Sequence, residues 1–357
     1  MTTRREALNL PNKFDGGRVV LRMGWERIHW TAFAAATFAL ALARGAEAEA
    51  IKIGLLKTTT SGPVYIAQDK NFFAAEGLQS ELVSFESAQP VAVATASGDI
   101  DFGYTGVTGG FYALASQGVL RIIGGGASEV PGYPNQPFLV SHKAFDAGLK
   151  SLKDLPGHSF GLSQFGSPPH YALGLVALKN GFDIKAVRLV PLNSLPNLVS
   201  AVTSGQIDAT VVTGSLGAAV LGRGDARLLA YVGDAAPFQL GSVMVSRKTA
   251  DARSDTIARF LRALVKGSEA YHEAFVKDGM RVDGPTAPEM IAIIAKNVGQ
   301  PASEVGHSLP YVDAKARVDV ADVMRQYEWY KAQGMLKGTA EAAEMIDRRY
   351  VVDLNRP

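Results

Sequence analysis

The sequence predicts an α/β chain of two similar lobes, each a mainly parallel sheet flanked by helices, with a ligand cleft between them and a helical C-terminal tail. Three observations predict it. Ser97-Gly98-Asp99-Ile100-Asp101 recurs 107 positions later as Ser204-Gly205-Gln206-Ile207-Asp208. Around both copies, short apolar strand candidates alternate with helical patterns, the order that yields parallel sheets with helices on both faces. From Thr249 to Pro357 the apolar spacing is that of helices. A length of 357 residues agrees, since about 150 residues make a domain.

The elements follow in chain order. Residues 30–43, WTAFAAATFALALA, form an apolar run of 14, shorter than the ~20 residues a membrane-spanning helix needs. Arg18, Arg22 and Arg27 precede it and Ala46-Glu47-Ala48 and Ala48-Glu49-Ala50 follow, the order of a signal peptide cleaved near Ala48 or Ala50. Residues 1–50 are therefore expected to be a leader, with Met23 as an alternative true start. The strand candidate IKIGLL (51–56) matches SFGLS (159–163). Each runs into a Ser/Pro-marked helix start, Ser61-Gly62-Pro63 or Ser167-Pro168-Pro169. The helices PVYIAQDKNFFAAEGL and PHYALGLVALKNGF end near Gly77 and Gly181, residues able to take the left-handed cap conformation. Strands at 81–83 and 188–190 come next, then helices starting near Ser87 and Ser194 that lead into the repeated five residues. DFGYTG (101–106) matches DATVVTG (208–214), LRIIGG (120–125) matches ARLLAY (226–231), and 140–143 matches 245–248. In the tail, Ile257, Phe260, Leu261, Leu264 and Tyr271 mark one core-facing helix, and Val320, Val323, Met324, Tyr327 and Leu336 another. Residues 51–140 and 246–357 are assigned to lobe 1 and 141–245 to lobe 2.

Composition narrows the function. The chain has 36 basic and 34 acidic residues. Seven and five of these fall in residues 1–50, so the mature part is balanced at 29 against 29. That leaves no electrostatic footprint for nucleic acid. With no cysteine there is no thiolate metal site, no cysteine nucleophile and no lipid anchor through sulfur. H-E-x-x-H, G-x-x-x-x-G-K-[ST] and S-x-x-K are all absent, and the mature chain's histidines (142, 158, 170, 272, 307) lack ligand-like spacing. Neither a metal, a cofactor nor catalytic residues are expected.

Ligands of open parallel α/β sheets bind beyond the carboxyl ends of the strands. The loops there carry hydroxyls at helix starts, where free backbone N–H groups favour an anion. Thr59, Thr60, Ser61, Thr105, Thr108, Ser167, His170, Thr213 and Ser215 are the candidate contacts. Thr105-Gly106 and Thr213-Gly214 stand in matching places after the repeated strands. Lys57 and His170 are the cations available, so an anion would be held mostly by neutral donors.

The stretches GPVYIAQDKNFFAAEGL (62–78), SGDIDFGYTG (97–106), LKSLKDLPGHSFGL (149–162) and SGQIDA (204–209) resemble the solute-binding proteins of ABC importers, in the nitrate/sulfonate/taurine-binding class. The resemblance implies a type II periplasmic binding protein, exported as a freely diffusing monomer. It would capture a small anion (a sulfonate, nitrate or organic carboxylate) between its lobes and deliver it to an ABC permease in the inner membrane. It extends to pyrimidine-precursor-binding relatives and to a pyrimidine synthase whose cysteine-rich motif this chain lacks. A biosynthetic enzyme on the same two-lobed fold, using carboxylates such as Glu86 or Glu129, and a sensor domain feeding a membrane kinase are the alternatives.

Overall fold

The computed structural model describes residues 48–337 and 341–355. All but the last residues of the expected leader lie outside them. Alternating apolar residues put Ile51, Ile53 and Leu55 on the buried side of β1 (Glu49–Leu56). There follow α1 (Gly62–Asp69), β2 (Leu78–Phe85), α2 (Ala88–Ser97), β3 (Phe102–Gly106), α3 (Gly109–Ala115) and β4 (Leu120–Gly125). The chain then crosses to a second sheet through β5 (Pro137–Val140). That half continues with β6 (Ser159–Leu162), α4 (Pro168–Asn180), β7 (Arg188–Pro191), α5 (Leu195–Thr203), β8 (Ala209–Val211), α6 (Gly214–Arg223) and β9 (Arg227–Tyr231). The return strand β10 (Gly241–Ser246) re-enters the first sheet, and α7 (Ser254–Phe275), α8 (Ala287–Val298) and α9 (Val320–Ala332) complete the tail.

The strand orders are β2-β1-β3-β10-β4 and β9-β5-β8-β6-β7. In the first sheet β1 is parallel to β2 and β3. In the second, β6 is parallel to β7 and β8. The crossing strands β10 and β5 run antiparallel to both their neighbours. The sheets are thus mainly parallel, as expected, with one opposed strand each. The reason is geometric. A chain leaving one sheet at its carboxyl edge enters the other at the edge facing it, and so runs backwards through it. The receiving sheets already hold Pro137–Val140 and Gly241–Ser246, whereas the sequence reading drew its boundaries after Val140 and Val245.

The repeat is exact at the level of register. Ile53 pairs with Leu82 and Phe102, and Phe160, 107 positions on, pairs with Leu189 and Ala209. The repeated five residues do three jobs in each copy. Gly98 (φ 87°) and Gly205 (φ 74°) make the left-handed turn after the helix. Ile100 and Ile207 press on Gly54 and Gly161, where a Cβ would collide with the isoleucine Cδ1. Asp101 and Asp208 accept hydrogen bonds from the backbone N–H of Lys52 and Ser159, both 2.8 Å. Ser141 and Ser246 then cap the helices that follow β5 and β10, accepting from Ala144 N and Thr249 N.

One expected helix is broken. The pattern over 63–78 reads as continuous, but Asn71 takes φ 57° and splits α1 from a short helix at Phe72–Ala75. Asparagine tolerates that conformation better than other side chains except glycine. In the tail, Phe260 of α7 stacks on Phe102 of β3, ring centres 3.9 Å apart. Helix α9 touches both halves, accepting from Tyr112 Oη at Val323 O (3.0 Å) and donating from Tyr330 Oη to Ser167 O (3.3 Å). Among the described residues no helix is long and apolar enough to cross a membrane.

Candidate functional site

The carboxyl ends of the two sheets face each other around a cavity of about 60 Å³. From the first half, Leu56, Thr60, Ser87, Ala88, Tyr104 and Thr105 line it, with Gly106 at the end of β3. From the second come Ser163, Pro168, Pro169, Leu195, Val211 and Thr213. Ala127 and Gln136 of the first connection and Leu240 and Gly241 of the second close the hinge side. The lining inherits the repeat. Leu56 and Ser163, Ala88 and Leu195, Tyr104 and Val211, and Gly106 and Thr213 each stand 107 positions apart.

Three buried lining groups, Tyr104 Oη, Gln136 Oε1 and Thr213 Oγ1, have no hydrogen-bond partner, and neither do Ser167 Oγ and Ser215 Oγ at the starts of α4 and α6. Native structures leave few such groups, so a cluster at one cavity is informative. Burial alone raises the Tyr104 hydroxyl well above its ordinary range, so it is a neutral donor.

Among the residues expected at the site, Thr60, Thr105 and Thr213 line the cavity. Ser167 and Ser215 are buried beside it at helix starts. The others are committed elsewhere. Thr59 Oγ1 donates to Ser308 O (2.7 Å) and Ser61 Oγ to Leu56 O (2.8 Å). Thr108 Oγ1 accepts from Phe111 N (3.0 Å), capping α3, and donates to Gln89 Oε1 (2.6 Å). His170 is buried, its Nδ1 accepting from Gly166 N (3.1 Å) and its ring set edge-on to Trp329. Burial pushes its pKa down to about 4, so the ring is uncharged near neutral pH. Lys57 is exposed and lies outside the cavity lining. The Thr-Gly pairs also match differently: Thr213 begins α6 as Thr108 begins α3, whereas Thr105 lies inside β3.

Ser87, Gln136 and Ser163 also line the cavity and are absent from the contacts expected from sequence. Their side chains carry no pattern that separates a lining residue from a loop residue. Leu240 and Gly241 stand at the entry to the crossing strand β10, which no periodicity marks as a wall.

The first connection also holds a buried carboxyl. Glu129 pairs with Phe238 of the second connection through reciprocal backbone hydrogen bonds (2.9 and 3.1 Å). Its Oε1 accepts from Asn135 Nδ2 at 2.6 Å and its Oε2 is unpartnered. Burial raises its pKa to about 8, more than the hydrogen bonds from Asn135 and the backbone of Gly233 and Gln136 lower it. No group of three or more His, Cys, Asp or Glu side chains suited to a metal occurs among the described residues.

Residues 58–274 match the model of the family described as NMT1/THI5 like. No curated protein sequence matches the chain. Among solved structures, the chain is similar to the alkanesulfonate-binding protein SsuA from Xanthomonas axonopodis pv. citri bound to MOPS, at 21% identity and TM-score 0.68, over 85% of this chain and 99% of that one. It is similar to the periplasmic aliphatic sulphonate binding protein SsuA from Escherichia coli at 19% identity and TM-score 0.65, over 87% and 94% of the two chains. The periplasmic nitrate-binding protein NrtA from Synechocystis PCC 6803 follows at 14% identity and TM-score 0.63, over 85% and 87%. At these identities the likeness carries the fold, that of periplasmic binding proteins.

Proposed function

The chain belongs to the NMT1/THI5-like family, and from that premise we propose that it is the periplasmic substrate-binding component of an ABC importer, a monomer that encloses one small molecule and hands it to a membrane permease. The observation that carries this is the cavity itself. Repeated loops from both halves surround it, and buried polar groups without partners face it. A preformed, mostly apolar pocket with a few convergent polar groups is the usual form of a small-molecule site. Thr60, Thr105 and Thr213 are the contacts from the sequence reading that fit this role, joined by Ser87, Tyr104, Gln136 and Ser163. The sulfonate- and nitrate-binding neighbours support an anion as the solute, whereas the lining residues support a neutral molecule.

The test is binding without turnover. Purified mature chain is equilibrated with a small-molecule extract of the cells that make it. A solute at a hundred times its Kd stabilises the folded state by about 2.7 kcal/mol. The bound compound, recovered by denaturation, is expected to be chemically unchanged, and deleting the gene is expected to abolish its uptake. Conversion of the compound on the protein would favour the biosynthetic-enzyme reading instead. Unchanged uptake after deletion would sink the import role.

A further inference from the structure

The cavity lining is uncharged on every side. It contains no Lys, Arg, His, Asp or Glu among the described residues. The first half offers hydroxyls from Thr60, Ser87, Tyr104 and Thr105. The second half adds the hydroxyls of Ser163 and Thr213 and sets the apolar Pro168, Pro169, Leu195 and Val211 around them. An ion buried without a partner is strongly disfavoured. Neutral groups hold an anion only when several donors converge on it, as backbone N–H groups do at a helix start.

The helix starts here are poor in such donors. Pro168 and Pro169 have no N–H, and the next two N–H groups of α4, on His170 and Tyr171, both return to Ser167 O. Pro63, Pro90 and Pro196 remove one donor each from the first turns of α1, α2 and α5. The first N–H groups of α2 and the start of α6 remain, enough for a polar edge. A cation fares no better, because no carboxylate lines the cavity. The carboxyl of the adjoining connection, Glu129, is buried and already bonded to Asn135. The unpartnered groups are themselves neutral. Tyr104 Oη and Thr213 Oγ1 each donate or accept, and Gln136 Oε1 accepts.

We infer that the solute is an uncharged molecule, with an apolar face against Pro168, Pro169, Leu195 and Val211 and a polar edge, bearing both a hydrogen-bond donor and an acceptor, against Tyr104, Thr213 and Gln136. This rests on the solute-binding reading of the cavity and names the class of solute it takes. It stands in place of the anion expected from sequence, because most of the helix-start donors on which that expectation leaned are missing and Lys57 and His170 lie outside the cavity lining.

The experiment separates the two readings. The small-molecule extract is divided by ion exchange at pH 7 into anionic, cationic and neutral pools. Each pool is added to purified mature chain and thermal unfolding is followed at low and high salt. The neutral pool is expected to raise Tm by roughly 5 °C, equally at both salt concentrations, and the charged pools are expected to leave it unchanged. Protection by the anionic or the cationic pool alone overturns the uncharged solute and leaves solute binding intact. Protection by no pool overturns solute binding and this inference with it.

Discussion

At the scale of single residues, a hydroxyl is informative by what it bonds to. Thr59, Ser61 and Thr108 bond to the protein itself, whereas Thr213 and Tyr104 keep unpartnered oxygens at the cavity. Thr213→Val and Tyr104→Phe are therefore expected to weaken solute binding about 3- to 10-fold each, the value of one neutral hydrogen bond. Neither should lower the Tm of the unliganded chain, because each removes a buried polar atom that had no partner. A fall in unliganded Tm with unchanged affinity would assign these groups to the fold instead. Glu129 makes a prediction with a definite sign. Its pKa is about 8 in the folded chain against an ordinary 4.5, so between those values the folded state keeps a proton that the unfolded state has released. Stability must then fall as pH rises through that window. Glu129→Gln is expected to match the parent near pH 4 and to exceed it by about 2–4 kcal/mol at pH 8. Urea unfolding at the two pH values measures this, and a parent profile that stays flat from pH 5 to 8 would refute the buried neutral carboxyl.

Elements explain why so much of the fold was legible and part of the site was not. The repeated Ser-Gly-x-Ile-Asp could be found because its glycine, isoleucine and aspartate each have a position-specific job: the turn at Gly98, the packing of Ile100 on Gly54, and the Asp101 bond to Lys52 N. Asp208 accepts from both Ser159 N and Ser159 Oγ at 2.8 Å. These bonds hold its pKa below the usual carboxylate range despite burial. Its contribution is present above pH ~4 and is lost as pH falls through the lowered value, the reverse of Glu129. Gly161→Ala should cost about 1–3 kcal/mol by driving a Cβ into Ile207, and a variant as stable as the parent would remove the reason given for the motif. The packing of His170 against Trp329 could not be read from sequence, because a helix-start histidine looks the same whether it faces a ligand or a tryptophan. Strand β1 bears on the expected cleavage site at its first residue. The Glu49 carboxylate accepts from Arg253 (2.6 Å) and Thr256 (2.9 Å) and also pairs with Arg259. Cleavage after Ala48 keeps that carboxylate and cleavage after Ala50 discards it. Mass spectrometry of the chain purified from the cells that make it is expected to find Glu49 first, and a chain engineered to begin at Ile51 should lose roughly 1–2 kcal/mol.

At the scale of the whole molecule, glycines let the two halves approach closely beside the cavity. Gly109 N donates to Gly166 O at 2.8 Å, and a Cβ on Gly109 would stand 3.3 Å from Tyr330 Cδ1 and 3.4 Å from Gly166 Cα. Gly106 lies against Pro168 in the same way, and Gly214 against Thr59. These approaches set how closely the carboxyl ends of the sheets come together, and hence the width of the cavity between them. A solute enclosed by both halves must enter while they are apart, and its affinity then depends on the free energy of bringing them into contact. Gly109 is the cleanest place to test this. It lies outside the cavity lining, and its backbone is not in the left-handed region, so a side chain there adds bulk without backbone strain. Gly109→Val puts two methyl groups beyond a Cβ that would already stand 3.3 Å from Tyr330 Cδ1. Overpacking of this kind costs about 1–3 kcal/mol, and here the cost falls on the closed arrangement alone. The expected result is roughly tenfold or greater loss of solute affinity, by calorimetric titration, with the unliganded Tm close to that of the parent. Small-angle scattering should show the liganded variant more extended than the liganded parent. If Gly109→Val binds as tightly as the parent, the glycine contacts do not govern closure, and the width of the cavity must be set by the two crossing strands.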